Sequence, residues 1–468
     1  MTDLVRQTDQ CFTGWAEQVR YASRGKIVFI DLYMGGSPGH RIQVVISGTK
    51  EQIKQLGLSR HCSLKVLGKI VVSQGEQDFE VQTDPSKVTV IGTCDPDTYP
   101  IAKKDLTMDY LRSIPVWRSR TQLFKAIWVV RDQVIRSIHD FFGQKGYIHV
   151  HTPLITRSDC EGAGEAFKVV ASECPDFFGT TQGDRLSGGS DLSPTDLSPT
   201  EPAKPTQAYL TVSGQLQGEI MACSLGPIYT LGPTFRAEKS STSRHLSEFL
   251  MMEPEIPFAD LNDIIRISVD MLKFIVERCV DRCDSSLQIL DKHQPGLTDR
   301  LKLFLSSDPV IMTYTEAIEK LVSSGTSFKE PPKWGIDLGS EHEKWLCGDS
   351  LTILTDYPKD IKAFYMYETP GCPEDRQTVA CMDVLLPGIG EVIGGSQRES
   401  RLEVLGPKME KLGLGGTEYD FYRDLRRFGY PGSSGFGLGV ERMVRFVTGI
   451  EQIRDVIPFP VAYGKIYT

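Results

Sequence analysis

Three stretches of this chain have the residue types and spacing to handle a polyphosphate. In Phe235-Arg236-Ala237-Glu238, Arg236 and Glu238 stand two apart, on one face of a strand. After a polar connection, Arg244 and His245 precede a returning apolar strand, Phe249–Ile256. A hairpin of this kind can close two guanidinium groups around a polyanion, because arginine presents planar, permanently charged forks matched to phosphate oxygens. Gly435-Phe436-Gly437-Leu438-Gly439-Val440-Glu441-Arg442 ends with an arginine in the first turn of an apolar helix through Val447, behind glycines that permit close backbone approach. Asp383 and Glu391 lie on neighbouring apolar runs, Met382–Leu386 and Glu391–Ile393. Hard carboxylate oxygens so placed suit Mg2+ shared with substrate phosphates; an internal ion pair with Arg398 or Arg401 is the other use for them, and spacing alone leaves the two level. The glycine pattern is G-x-G-x-G near the end of the chain, not a G-x-G-x-x-G after the first strand of a βαβ unit, which argues against a dinucleotide fold.

The elements that must hold these residues fall into two parts. Ile27–Leu32, Ile42–Ile46, Ser63–Val72, Phe79–Val81 and Lys87–Ile91 are β-branched or aromatic runs separated by Gly, Ser and Pro clusters. Five such strands, with a helical interval at Glu51–Leu58, predict a small Greek-key barrel over residues 1–100. Cys94–Pro100 breaks the pattern, and 101–119 reads as a hinge. From Arg120 to Gly143, Leu123, Ile127, Val130, Val134, Ile135, Ile138 and Phe142 recur at helical spacing, and Tyr147–His151 follows as a strand ended near Pro153. Later β runs at 209–212, 228–231, 249–256, 382–386 and 391–393 alternate with helical stretches at 259–283, 314–323 and 400–412, an α+β pattern around one large sheet over 120–468. Residues 179–207 contain no aromatic residue and repeat Asp-Leu-Ser-Pro-Thr in tandem, so this insertion is expected to be disordered.

Composition bounds the reading. With 468 residues, two or three domains with ample cores are expected. There are 52 Lys+Arg against 61 Asp+Glu, a net charge of −9, which argues against holding nucleic acid by bulk charge. The balance is uneven: residues 1–105 hold 13 Lys+Arg and 12 Asp+Glu, leaving −10 for the rest. Nucleic-acid binding would therefore depend on local basic and aromatic patches. The eleven cysteines are scattered, with no CxxC pair, which points to free thiols in a reduced compartment. The first ten residues lack an apolar core and no run of about 18 apolar residues occurs, so neither secretion nor a membrane span is expected, and the expected location is cytoplasmic.

Arg120–Pro153, Phe235–Phe249 and Gly435–Arg442 together resemble the three signature motifs of the class II aminoacyl-tRNA synthetases. Glu161-Gly162-Ala163-Gly164-Glu165, Tyr357–Met366 and Arg454–Pro460 are similar, almost word for word, to the bacterial-type asparaginyl family. The resemblance runs from about residue 14 to 460, faint over the barrel and dense from 100 onward. It implies an OB-fold anticodon-binding barrel followed by a class II catalytic domain, an antiparallel sheet flanked by helices. It implies ATP-dependent activation of L-asparagine and its transfer to tRNA(Asn), with Mg2+, by a homodimer whose interface includes the first-motif helix.

Residue by residue, the resemblance assigns Arg236 to the ATP α-phosphate, Arg244 and His245 to the outer phosphates, and Arg442 to the γ-phosphate and one face of adenine. Phe249 would stack on the other face, with Glu238 at the amino edge and Asp383 and Glu391 on Mg2+. Glu161, Ser213, Gln215 and Glu253 would surround the ammonium group of the amino acid, and Arg398 would meet its side-chain carbonyl. In the barrel, Phe29 would stack a base, Gln43 would read its edge and Arg20 would meet phosphate. Tyr367, Val461 and the tail 462–468 depart from the family pattern.

The sister aspartyl enzymes share all three motifs. Where they carry a lysine and then a glutamine, this chain has Gly218 and Glu219. A carboxylate at Glu219 would accept a hydrogen bond from an amide and repel aspartate, which favours asparagine. The alternatives are an aspartyl or relaxed Asx enzyme, and a paralogue without charging activity, either RNA-binding and regulatory or asparagine-forming.

Overall fold

The structure, a computed structural model, describes residues 8–73, 75, 77–101, 106–157, 166–174, 177–178, 207–240, 242–416 and 419–467. Glu161 and all of the 179–207 insertion except Gln207 lie outside the described residues. The chain forms two compact units: Met1–Val130 with Cys283–Pro295, and Arg131–Arg282 with Gly296–Thr468. The first unit thus continues past the barrel and takes in a segment from the middle of the chain.

In the first unit, β1 (Gln10–Ala22), β2 (Ile27–Tyr33), β3 (Arg41–Ser47), β5 (Phe79–Thr83) and β4 (Ser63–Val72) close a ring in that order, and β6 (Val88–Gly92) pairs outside it on β4. A five-stranded ring is present, but its membership differs from the sequence expectation. The unforeseen β1 completes it, and the Lys87–Ile91 run lies beyond it. β1 escapes periodicity because a bulge between Ala16 and Gln18 buries both Ala16 and Glu17, and polar residues fill its second half. Helix α1 (Lys50–Gln55) is shorter than expected and opens with a Thr49/Gln52 capping box. Val28, Ile30, Leu32, Val44 and Ile46 are fully buried in the barrel. Alternation therefore turns Phe29, Asp31 and Gln43 to the outer face.

The second unit is built on an eight-stranded sheet. Its order is Val310–Thr313, Thr352–Pro358, Thr378–Leu386, Gly390–Gln397, Ser433–Gly439, Glu248–Pro257, Ile228–Phe235 and Ile148–His149. The six central strands are antiparallel, as expected, while the outermost pairing at each edge is parallel, so the sheet is mixed. The strand foreseen at Tyr147–His151 shrinks to Ile148–His149, and the Arg120–Gly143 helix is observed as Gln122–Gln144. From that helix Arg131 reaches the buried carboxylate of Glu441 at 2.7 Å, and the second Glu441 oxygen accepts the Leu250 amide at 3.1 Å. This contact ties the glycine-rich strand and its helix, Val440–Thr448, to the neighbouring hairpin. Cys11, Cys62, Cys94, Cys223, Cys347, Cys372 and Cys381 carry free thiols, and no described helix is long and apolar enough to cross a membrane.

Candidate active site

The strand Glu248–Pro257 sets out the site. Successive side chains alternate faces, so Phe249, Met251, Glu253 and Glu255 all look to one side, about 7 Å apart. Leu250, Met252, Pro254 and Ile256 look to the other. The first four line two contiguous cavities, Phe249 and Met251 in one and Met251, Glu253 and Glu255 in the next, with Arg236, Glu391 and Gly437 shared. The adjoining strand pairs Gly439 with Met251 and Gly435 with Glu255. Its glycines leave this face to the neighbour's side chains: a Cβ on Gly437 would come 2.9 Å from the Met251 sulfur, and one on Gly435 2.5 Å from the Pro254 carbonyl oxygen.

The first cavity gathers Arg236, Glu238, Arg244, His245, Phe249, Glu391 and Arg442. Strand Ile228–Phe235 stops one residue before Arg236, so Arg236 and Glu238 sit on the extended connection rather than on the strand itself. The Arg236 guanidinium carbon lies 5.6 Å from the Phe249 ring centroid and its Nη1 4.0 Å from Glu238 Oε1. His245 Nε2 is 3.4 Å from Glu238 Oε2. Arg442, in the first turn of its helix, donates to the Glu391 backbone oxygen at 2.7 Å and lies 3.5 Å from its carboxylate. Arg244 donates to Glu343 Oε2 at 3.3 Å, and the same carboxylate accepts the Glu391 amide at 3.3 Å. Burial, reinforced by Glu391, raises the Glu343 carboxyl above the usual range. Nothing in the motif patterns marks Glu343.

The second cavity is lined by Ser213, Gln215, Glu253, Glu255, Lys362, Tyr365, Asp383 and Arg398, among others. Glu253 is fixed by the Ser213 hydroxyl, by the Gly214 amide at 2.9 Å and by Thr230 at 3.3 Å. Arg398 grips Glu255 with two nitrogens, one at 3.2 Å, and donates its remaining Nη1 to Ser396 at 2.8 Å. Burial raises the Glu255 carboxyl above the usual range, against the opposing pull of Arg398, which keeps the pair together. Glu255, Lys362 and Tyr365 had no assigned role in the sequence; their signal lay in the runs Glu253-Pro254-Glu255 and Tyr357–Met366.

Glu219 does not line either cavity. It is fully buried behind the wall, with Oε1 accepting Gln215 at 3.1 Å and Tyr422 at 2.9 Å, and Oε2 accepting Arg426 at 2.8 Å. Its partner Gln215 does line the second cavity. Among the departures from the family pattern, Tyr367 lies under the Arg401 guanidinium at 4.3 Å, and Val461 opens a short hairpin with Lys465–Ile466 whose oxygen accepts the Ser247 amide at 2.8 Å.

Asp383 and Glu391 come from adjacent strands and converge over Gly394, where a Cβ would lie 3.2 Å from Glu391 Oε1 and 3.7 Å from Asp383 Oδ1. Two hard oxygen donors over a space that only glycine leaves open fit a Mg2+ ion that takes its remaining ligands from phosphate and water. Burial raises the Asp383 carboxyl despite Lys362; Glu391 is held below the usual range because Arg442, Lys362 and Arg236 outweigh its burial.

On the outer face of the barrel, Arg20 is paired across the ladder with Phe29 and Asp31 with Gln43. Arg20 donates to Gln43 at 3.4 Å, and Gln43 in turn donates to Glu80 at 3.1 Å. Glu80 also accepts from Ser73 and Gln82, each at 3.1 Å, and adds a carboxylate to this face that the sequence did not single out.

The family model for class II tRNA synthetases (D, K and N) matches residues 109–462. An asparagine–tRNA ligase of Yersinia enterocolitica is 45% identical over 454 residues, covering 96% of this chain and 93% of that protein. One from Serratia proteamaculans is equally similar, with the same coverage. Among solved structures, asparaginyl-tRNA synthetase from Pyrococcus horikoshii complexed with asparaginyl-adenylate matches with a TM-score of 0.82 at 29% identity, over 100% of this chain and 97% of that one. The Entamoeba histolytica asparaginyl-tRNA synthetase with asparaginyl-adenylate matches at 0.79 and 25% identity, over 97% and 95%.

Proposed function

The chain belongs to the class II tRNA synthetases (D, K and N), and from that premise we propose that it is an asparagine–tRNA ligase, activating L-asparagine with ATP and passing it to tRNA(Asn). The observation that carries this reading is the row Phe249, Met251, Glu253, Glu255, which spans one cleft from an arginine-lined end to the Arg398–Glu255 pair.

In this reading adenine lies between Phe249 and Arg442 with its amino edge toward Glu238, and the phosphates run between Arg236, Arg244 and His245. Mg2+ held by Asp383 and Glu391 would neutralise phosphate charge. The asparagine ammonium meets Glu253 and Gln215, with Ser213 holding Glu253 in place. Its side-chain carbonyl accepts from Arg398, and its amide N–H donates to Glu255. The substrate carboxylate then attacks the α-phosphorus in line, and the bond to the leaving pyrophosphate breaks. Arg236 sits where both cavities meet, so its guanidinium can stabilise the charge that grows on the α-phosphate. A ribose hydroxyl of the terminal adenosine next attacks the acyl carbon and AMP leaves. No side-chain nucleophile takes part; catalysis is positioning and charge stabilisation.

The outer barrel face around Arg20, Phe29 and Gln43 reads the anticodon, the chain acts as a homodimer through its first-motif helix, and its setting is the cytoplasm. Pyrophosphate exchange with asparagine and with aspartate, followed by charging of tRNA, tests the reading. Exchange and charging with asparagine are expected. Preference for aspartate, or exchange without charging, contradicts it.

A further inference from the structure

Behind the Arg398–Glu255 pair lies a second ion pair that lines neither cavity. Glu219 and the side chain of Arg426 are both fully buried and meet at 2.8 Å. Arg426 comes from the helix Asp420–Arg427, outside all three motifs and 207 residues from its partner. Its guanidinium packs 3.9 Å from the Tyr422 ring and 4.3 Å from the Tyr430 ring, and its Nη1 makes no hydrogen bond. Arg398 Nε stands 3.9 Å from Glu219 Oε1, at the limit of an ion pair. Without Arg426, Glu219 would be a buried, uncompensated carboxylate beside the guanidinium that must serve Glu255 and the substrate. Of the other buried carboxylates nearby, Glu399 is occupied by Arg401 at 2.8 Å and Glu253 by Ser213, Gly214 and Thr230.

We propose that Arg426 is a specificity-determining positioning residue: by neutralising Glu219 it leaves Arg398 matched to Glu255, so that the side-chain end of the cavity carries no net charge and takes a neutral amide in preference to a carboxylate. Two arginines and two glutamates balance there. Aspartate would bring a fifth, unbalanced charge into a site shielded from water, whereas asparagine brings none. This assignment rests on the asparagine reading of the cleft and extends it to a layer that the substrate does not reach.

The two members of the pair make opposite predictions, which a purely structural role would not. Pyrophosphate exchange is measured with asparagine and aspartate for wild type, Glu219→Gln, Arg426→Met, the double variant and Arg426→Lys. Glu219→Gln leaves an excess positive charge, and the asparagine-to-aspartate ratio of kcat/KM is expected to fall about tenfold or more. Arg426→Met leaves an excess negative charge: the KM for asparagine is expected to rise at least about tenfold as Glu219 draws on Arg398, while aspartate is repelled further and the ratio rises rather than falls. The double variant, neutral again, is expected to recover the wild-type ratio to within about threefold, and Arg426→Lys to keep it. Single variants that shift the ratio in the same direction, a double variant that does not recover, or loss of the ratio in Arg426→Lys overturns the assignment. Should one single variant fail to fold, the double and Lys variants still decide. A wild-type chain that activates no asparagine would instead refute the functional reading.

Discussion

Lys362 Nζ lies 2.7 Å from Asp383 Oδ2 and 3.9 Å from the centroid of the Tyr357 ring, on the floor of the cleft where Asp383 and Glu391 converge. Burial alone would lower the basicity of this lysine, but Asp383 outweighs it and holds the ammonium charged. The ammonium thus already compensates one of the two carboxylates assigned to Mg2+. Replacing it with methionine removes that competing cation. Lys362→Met is expected to bind Mn2+ severalfold more tightly without nucleotide, read by electron paramagnetic resonance, and to activate asparagine at least about tenfold more slowly. Unchanged or weaker Mn2+ binding contradicts competition for Asp383.

Arg236 and Phe29 should fail in separate assays. Arg236→Ala is expected to slow pyrophosphate exchange by roughly two to three orders of magnitude with unfolding unchanged, since the side chain is partly exposed and its work is electrostatic. Phe29→Ala removes an outward aromatic from the barrel and is expected to leave exchange intact while raising the KM for tRNA roughly tenfold, as loss of one base stack does. Near wild-type exchange in the first, or slowed exchange in the second, counts against the assigned roles.

Gly435 stands where the glycine-rich strand crosses Glu255. A methyl group there would overlap the Glu255 carboxylate and come 2.5 Å from the Pro254 carbonyl oxygen, which cannot move without breaking the strand pairing. Gly435→Ala is expected to destabilise the protein by about 1–3 kcal/mol and to weaken asparagine binding more than ATP binding, because Glu255 and Arg398 shift together. Isothermal titration with each substrate checks this; equal loss of both would place the damage in the sheet rather than in the pocket.

What could be read in advance follows contact range. Arg236 with Phe249, or Gly435 with Arg442, are close in sequence, and alternation or a helical turn fixes their shared face. Asp383 and Glu391 flank one tight turn, so their convergence was legible too. Arg426 was not, because it meets Glu219 only through the tertiary fold and lies on a short polar helix with no motif around it. Glu219 was misplaced for the same reason: i+4 spacing keeps it on the face of Gln215, which lines the pocket, but one turn further along, where Tyr422 and Arg426 close around it through the tertiary fold. β1 was lost to its bulge, which interrupts the period on which strand recognition depends.

His61 is expected to make the barrel unit acid-sensitive. It is 6% exposed, its Nε2 has no hydrogen-bond partner, and it packs 4.9 Å from the Tyr99 ring. Burial, and then the charges of Arg60, Lys125 and Arg120, lower its pKa to about 4. In the unfolded chain the imidazole protonates near pH 6.5, so between about 6.5 and 4 the unfolded state binds the extra proton and stability falls as pH falls. The loss is complete near pH 4, where the folded form also protonates, and amounts to at most roughly 3 kcal/mol. His61 also has φ of 64°, which asparagine tolerates better than most residues. His61→Asn therefore removes the titration without adding backbone strain. Denaturant unfolding at pH 7 and at pH 4.5 should show a smaller acid-induced loss in the variant than in the wild type, with carboxylates contributing equally to both. An identical loss in the two would mean that the folded protein accommodates the His61 charge.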